Sequence, residues 1–135
     1  MDRRHAALAL ALPFLALMPA AASAGEGGEK KRAGGMNFVP VRTITGNVTR
    51  ADGRRGVFTA ELGIDSADPS IHERIVQYMP RLRDAYAASV QVFAASLRPD
   101  AVPNLDLLSQ RLQAETDRVL GRRGARLLLG TCLVN

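Results

Sequence analysis

The feature that most constrains the fold is a nine-residue apolar segment at the end of the chain, Leu127 to Asn135 (LLLGTCLVN). An apolar run of this length with glycines shortly before it predicts a strand that is buried on both faces. Such a strand must pair with strands formed earlier, so we expect the domain to close on its last segment. We also expect Leu129, Leu133 and Val134 to lie in the core, so that deleting Leu129 to Asn135 prevents folding.

Residues 1–24 have the parts of an export signal. A basic start precedes an uncharged, alanine-rich stretch from Ala6 to Ala24, in which Ala22 and Ala24 form a small-x-small cleavage site. The paired arginines of the basic start fit either a general secretory or a twin-arginine signal. Because the uncharged stretch is just long enough to span a bilayer, a retained membrane anchor is the alternative to cleavage. Both interpretations place the folded part outside the cytoplasm.

Residues 25–35 (GEGGEKKRAGG) hold five glycines and five charges in eleven residues. This composition cannot form a core and predicts a flexible linker. Its three consecutive basic residues are the main argument against export, because positive charge resists outward transfer. We expect folding to start near Met36, so that residues 36–135 form one domain.

The first half of this domain predicts a hairpin followed by a helix. Phe38 to Thr49 and Gly56 to Ile64 are rich in strand-forming residues, and the Asp52-Gly53 pair between them is a strong turn signal. Asp68-Pro69 then opens a helix, because aspartate caps a helix start and proline is tolerated at the first helical position.

Apolar residues then recur at three- and four-residue steps from Ile71 to Leu97, which predicts one long amphipathic helix. Pro80 falls within this pattern and should kink the helix or split it into two segments that share the stripe. A loop over residues 99–104 leads to a second helix that ends at Gly121 and is lined by Leu105, Leu108, Leu112 and Val119. The order strand, strand, kinked helix, helix, strand predicts a small α+β domain with an antiparallel sheet.

The residue inventory gives no warrant for an enzyme. Of the two histidines, His5 lies in the export segment, and we interpret His72 as an exposed helix residue without metal-binding neighbours. Asp65 and Asp68 are explained by turn formation and helix capping. Cys132, the single cysteine, excludes an internal disulfide and a paired-cysteine zinc site, and in an apolar run it acts as a small hydrophobe. We therefore predict no catalytic residue, cofactor or metal ligand.

The net charge of +5 comes almost entirely from arginine. A basic chain can attract nucleic acid or anionic lipid. Here acidic residues are interspersed with the arginines, and aromatic residues make up only 4% of the chain, too few for a platform on which bases stack. We expect a solvated, arginine-rich surface and no nucleic-acid binding.

Several segments together resemble the periplasmic domain of the FliL family, the flagellar basal-body-associated proteins. They are Val39-Pro40-Val41, Leu62-Gly63-Ile64-Asp65, Asp68-Pro69, the MPRLRDA segment from Met79 to Ala85, the helix from Arg111 to Leu120, and the final LLLGTCLVN strand. The likeness extends from Phe38 to Asn135. Its most specific piece is the Pro-x-(Leu/Ile)-Arg-Asp pattern, which is Pro80 to Asp84 here.

The resemblance implies a small α+β domain similar to stomatin-type domains and no enzymatic activity or cofactor. It also implies one N-terminal membrane helix and assembly of several copies into a ring beside the stator units of the flagellar motor. This chain departs from the family because residues 1–24 look cleavable. A soluble, exported binding or structural module of unknown partner, sharing only the FliL-like fold, is therefore the alternative.

A cluster of charges on the polar side of the long helix is the predicted working surface. Arg81, Arg83 and Asp84, with Arg74 nearby, lie away from the apolar stripe in the segment most like the family. Arginine is enriched at protein interfaces, where its planar fork pairs with carboxylates. We expect Arg81, Arg83 and Asp84 to join neighbouring copies or a motor protein.

Overall fold

The computed structural model describes residues 37–135. Its elements are β1 (Phe38–Thr49), β2 (Arg55–Asp65), α1 (Pro69–Gln77), α2 (Met79–Ala95), α3 (Leu105–Leu120) and β3 (Arg126–Val134). The predicted export segment, cleavage site and linker, and the first residue of the domain, lie outside the described residues. Among residues 37–135, no helix is both long enough and apolar enough to cross a bilayer.

The three strands form one antiparallel sheet in the order β1-β2-β3, which confirms the predicted small α+β domain. Burial alternates along β2, where Phe58, Ala60, Leu62 and Ile64 are almost fully buried. Period-two burial means that one face of the sheet is covered, here by the helices, and the other faces solvent. The register places Ile64 opposite Leu127 in β3 and Leu62 opposite Val41 in β1.

The long helical pattern is split in two, as Pro80 predicted. α1 ends at Gln77, α2 begins at Met79, and the junction residue Tyr78 leaves helical geometry with φ −94° and ψ 9°. Pro80 thereby falls in the first turn of α2, where its missing N–H costs no intrahelical hydrogen bond. One apolar stripe nevertheless continues across the junction, through the buried side chains of Ile71, Ile75, Met79, Leu82, Tyr86, Val90 and Phe93.

The prediction that β3 is buried on both faces was wrong. Leu127 is buried and Leu129 is partly buried, but Leu133 is 52% exposed and Val134 is 50% exposed. β3 is the edge strand of a three-stranded sheet, so it has a neighbouring strand on one side only. Deleting the segment would still remove its pairing with β2, but it would not remove Leu133 and Val134 from the core.

α3 packs through Leu108, Leu112, Thr116 and Leu120, all with no exposed area. Leu105, predicted to line this helix, is 36% exposed because it occupies the first turn, and Val119 is only partly buried. The predicted stop at Gly121 is confirmed, since that residue adopts the left-handed conformation (φ 65°) that ends many helices.

A buried polar pair joins α2 to α3. The Tyr86 hydroxyl lies 2.5 Å from Thr116 Oγ1, and Thr116 Oγ1 donates to the carbonyl of Leu112 at 2.8 Å. Since the Thr116 proton is used in that bond, Tyr86 is the donor to Thr116. Burial raises the pKa of Tyr86 to about 12, so the phenol stays protonated at physiological pH.

Gly46 of β1 permits a close contact between the sheet and α2. A Cβ atom at this position would lie 2.7 Å from the Cβ of Ala94 and 3.0 Å from the carbonyl oxygen of Val90. Both distances are shorter than a van der Waals contact, and one neighbour is backbone that cannot rotate away. The absence of a side chain at Gly46 therefore sets how near α2 lies to the sheet.

We predict that Gly46→Ala destabilises the domain by about 1–3 kcal/mol, because an added methyl group overpacks a closed contact. The matched control is Thr45→Ala on the neighbouring solvent-facing position, which should cost about 0.5 kcal/mol or less. Urea unfolding of both variants measures the difference. Equal losses would show that α2 can move away from β1 without penalty.

We predict unequal effects from removing the two hydroxyls of the buried pair. Tyr86→Phe should cost about 0.5–1.5 kcal/mol, because Thr116 keeps its bond to Leu112. Thr116→Val should cost about 1–3 kcal/mol, because the buried Tyr86 hydroxyl is left without an acceptor. The double variant should lose less stability than the sum of the two single losses, as measured by urea unfolding. Strict additivity would mean that the pair contributes no mutual stabilisation.

Candidate functional site

The predicted surface of Arg81, Arg83 and Asp84 is divided in the structure. Arg81 and Asp84 are exposed, whereas Arg83 is half-buried. The buried Nε of Arg83 has no hydrogen-bond partner among the described residues. Two residues along an α-helix turn the side-chain direction by about 200°. Arg81 and Arg83 therefore lie on different sides of α2, and the shared role expected for Arg81, Arg83 and Asp84 stays a prediction.

Arg81 instead lies near Arg74 and Tyr78, at the junction of α1 and α2. The guanidinium carbon of Arg74 is 4.8 Å from the centre of the Tyr78 ring, and that of Arg81 is 5.7 Å away. Both distances are within the range of cation–π attraction, which favours arginine over an aromatic ring. Tyr78 therefore holds two cationic side chains beside one ring.

Arg74 also ties this junction to the end of α3. Its Nε donates to the carbonyl oxygen of Leu120 at 2.5 Å. The last carbonyls of a helix lack intrahelical partners and carry partial negative charge, so a cationic donor satisfies both requirements. Gly121 follows directly, and a Cβ there would lie 3.8 Å from Nη2 of Arg74. Arg74 is thus fixed by the backbone of another helix.

The turn after α3 adds two exposed arginines, Arg122 and Arg123. We call Arg74, Tyr78, Arg81, Arg122 and Arg123 the Tyr78 patch. The turn lies close to the start of α1, and its charge reaches the capping carboxylate of that helix. Hydrogen bonds from Ser70 hold the pKa of Asp68 below its usual value, and the positive charge of Arg122 acts in the same direction.

The charge of the Tyr78 patch is not neutralised by ion pairs within residues 37–135. The ion pairs described there are Arg54 with Asp52, Arg98 with Asp100, and Arg118 with Glu115. Four guanidinium groups at one end of the domain therefore present positive charge to solvent or to a partner.

The histidine and the cysteine of the described residues do not form part of a reactive or metal-binding site. His72 is half-buried, with Nδ1 3.4 Å from the carbonyl of Asn37, so the expectation that it is exposed was wrong. No local pattern indicates that the chain entering β1 lies against His72, because Asn37 is 35 residues away. Cys132 is half-buried, and burial, together with the charge of Glu61, raises the pKa of its thiol. In the part of the chain that the structure describes, no cluster of three histidine, cysteine, aspartate or glutamate residues could hold a metal ion.

A shallow groove of about 210 Å³ lies between α2 and α3. It is lined by Ala88, Ser89, Val92 and Arg111. Its lining contains one ionisable side chain and neither a histidine nor a carboxylate that could serve as a general base. The groove therefore offers no arrangement that resembles a catalytic centre.

Comparison with known proteins identifies no family for the chain: no family model matches it, and no curated protein matches it. The likeness to FliL proteins consequently rests on the sequence motifs alone. Of the Tyr78 patch, sequence reasoning pointed to Arg74 and Arg81 and missed Tyr78, Arg122 and Arg123. A usable signal was present, since two arginines directly follow the glycine that ends α3.

We predict that Arg74 and Arg81 differ in their effect on stability although both lie beside Tyr78. Arg74→Ala should cost about 1–2 kcal/mol, because it removes a charged donor from the C-terminal end of α3. Arg81→Ala should change stability by about 0.5 kcal/mol or less, because Arg81 is exposed and bonds no helix end. Chemical unfolding of the two variants checks this. Equal effects would show that the bond to Leu120 does not stabilise the domain.

Proposed function

We propose that this chain is a FliL-like, non-catalytic protein of the flagellar basal body, which acts at the motor by binding other proteins. The observation that carries the proposal concerns the segment most similar to the family, Pro80 to Asp84. Its exposed arginine, Arg81, lies with Arg74 beside Tyr78, in a surface whose composition suits protein binding. The other arginine of the segment, Arg83, is half-buried and belongs to the helix packing.

The Tyr78 patch has the properties of a contact surface. Tyrosine and arginine are among the residues most enriched at the positions that dominate binding energy at interfaces. Arg74 is already held by Leu120 and Tyr78 is already flanked by two guanidinium groups, so binding would order few side chains anew. The positive charge favours an acidic partner surface, on a motor or stator protein or on a neighbouring copy of the chain.

The rest of the proposal concerns location. A FliL-like protein would lie in the periplasm, held to the inner membrane by the N-terminal segment if that segment is retained, and assembled from several copies. If Ala22 and Ala24 direct cleavage instead, the mature protein would be a soluble exported module with the same surface and a different partner. The order of elements, with the hairpin before the helices and β3 last, is compatible with both forms.

We predict that the tagged full chain forms foci at flagellar bases in cells that encode it, and that these foci disappear when the flagellum is absent. Fluorescence imaging of wild-type and aflagellate cells provides the measurement, and deletion of the gene should reduce swimming. Uniform periplasmic signal in both strains, with normal swimming of the deletion strain, would overturn the flagellar proposal. It would favour the soluble exported module.

The same assay tests the surface. Arg81→Glu combined with Arg123→Glu should abolish the foci and leave the melting temperature within about 2 °C, because both side chains are exposed. The matched control is Arg42→Glu combined with Arg55→Glu, at exposed positions of β1 and β2. It makes the same change in net charge and should leave the foci intact. Normal foci in the first variant would place the contact elsewhere. Loss in both would indicate a general charge effect.

A further inference from the structure

Glutamine side chains cover part of both outer edges of the sheet. On β1, the amide of Asn47 donates to Oε1 of Gln91 at 3.1 Å. On β3, Gln113 of α3 accepts from the amide of Leu127 and donates to the carbonyl of Ala125, both at 2.8 Å. An unpaired strand edge invites pairing with another chain, and side chains that bond its backbone groups reduce that tendency.

The second half of β3 has no such cover among the described residues. The register with β2 shifts between Leu129 and Cys132, and regular pairing then resumes. Leu133 lies opposite Thr59 on the open face of the sheet, whereas Val134 lies opposite Phe58 on the helix face. Both are about half exposed. Two neighbouring residues on opposite faces of the sheet are thus exposed to the same degree. Their shared feature is the outer edge of β3, which has no neighbouring strand.

The backbone of this segment is also available. Asn135 and Val57 exchange two hydrogen bonds of 2.9 Å, so the backbone groups of Asn135 point toward β2. Direction alternates along an antiparallel strand, so the N–H and C=O of Val134 point away from β2. By the same alternation those of Cys132 also point outward. The edge thus presents donors and acceptors in the spacing of a strand.

We propose that this edge binds the same edge of a second copy, as an antiparallel pair with Leu133 next to the two-fold axis. Cys132 of one copy would then lie opposite Val134 of the other, and the two sheets would join into one of six strands. Antiparallel pairing of a strand with itself closes after two copies, whereas parallel pairing does not. This pairing is independent of the Tyr78 patch and of any flagellar role.

The distribution of charge suits pairing with a second copy. No charged residue lies between Leu127 and Val134, so two copies can approach without like charges meeting at the axis. Arg126, the only charged residue of β3, lies seven residues from the axis, and antiparallel pairing carries the two Arg126 residues to opposite ends. A parallel arrangement would place them side by side. The half-exposed Leu133 side chains would cover each other on the open face.

Analytical ultracentrifugation of the full chain tests the pairing, in the Arg81→Glu and Arg123→Glu background so that contacts through the Tyr78 patch are absent. We expect the mass of two copies. Val134→Pro should shift it to one copy, because proline removes an outward donor without breaking a bond to β2. Leu133→Lys should act likewise by placing charges at the axis. Both variants should still unfold in one cooperative transition on heating, which shows that loss of pairing is not loss of the fold.

Val57→Lys is the matched control, since Val57 is 41% exposed on the same open face as Leu133 but lies on the central strand. It should retain the mass of two copies. Loss of pairing in this variant would indicate stacking of open faces and overturn the edge proposal. A parent protein that keeps the mass of one copy at all concentrations would overturn it as well, as would two-copy mass in both edge variants.

Disulfide trapping tests the register. Val134→Cys places a thiol opposite the native Cys132 of the other copy, at a Cα separation of about 5.5 Å that a disulfide can bridge. Oxidation with diamide should give a covalent pair of chains. The parent chain, whose two Cys132 residues are not opposite each other, should stay uncrosslinked. The reverse outcome would refute the Leu133-centred register, and no crosslink in either chain would refute the pairing at this edge.

Discussion

The packing of α2 against the sheet is the contact on which the rest of the structure depends. The buried side of α2 reaches β1 at Gly46, where the two backbones approach without a side chain between them. Its neighbouring side meets α3, and the hydroxyl pair of Tyr86 and Thr116 lies in that interface with no exposed area. One helix thereby fixes the positions of both the strand and the helix beside it. The junction at Tyr78, where α2 begins, takes its position from these contacts.

Patterns of a few consecutive residues predicted much of this arrangement. The features that were predicted wrongly or missed depend on contacts between segments that are far apart in the sequence. The hairpin, the cap at Asp68 and the break near Pro80 depend on a few consecutive residues, so the sequence expresses them directly. The burial of β3 depends on how many strands and helices lie around it, which an apolar run does not encode. The bond between Arg74 and Leu120 joins residues 46 positions apart, and no local pattern indicates it. The same holds for the paired hydroxyls, because Thr116 interrupts an otherwise apolar stripe.

Long polar side chains complete the backbone hydrogen bonding of this small domain. Arg74 bonds the end of α3, while Gln91 and Gln113 bond the two sheet edges. An unpaired backbone group in a partly buried position costs free energy, so these side-chain bonds stabilise the domain and restrict the motion of the side chains. Arg81 lies beside Tyr78 but bonds no backbone group among residues 37–135, and no side chain described there bonds the outer edge of the last residues of β3. Binding is proposed at these two places.

The two proposed surfaces lie toward opposite ends of β3, which has a consequence for assembly. The Tyr78 patch adjoins the turn that leads into Arg126, whereas the open edge is centred on Leu133. Seven residues of extended strand separate these points by about 23 Å. In a two-fold pair with Leu133 at the axis, the two patches would therefore lie toward opposite ends of the joint sheet, displaced in opposite directions along the paired β3 strands. A partner or neighbouring assembly with two acidic segments at a matching spacing would bind such a pair more tightly than a single copy, because the second contact becomes intramolecular. Pairing through the edge would thus strengthen binding through the patch without any new contact at the patch itself.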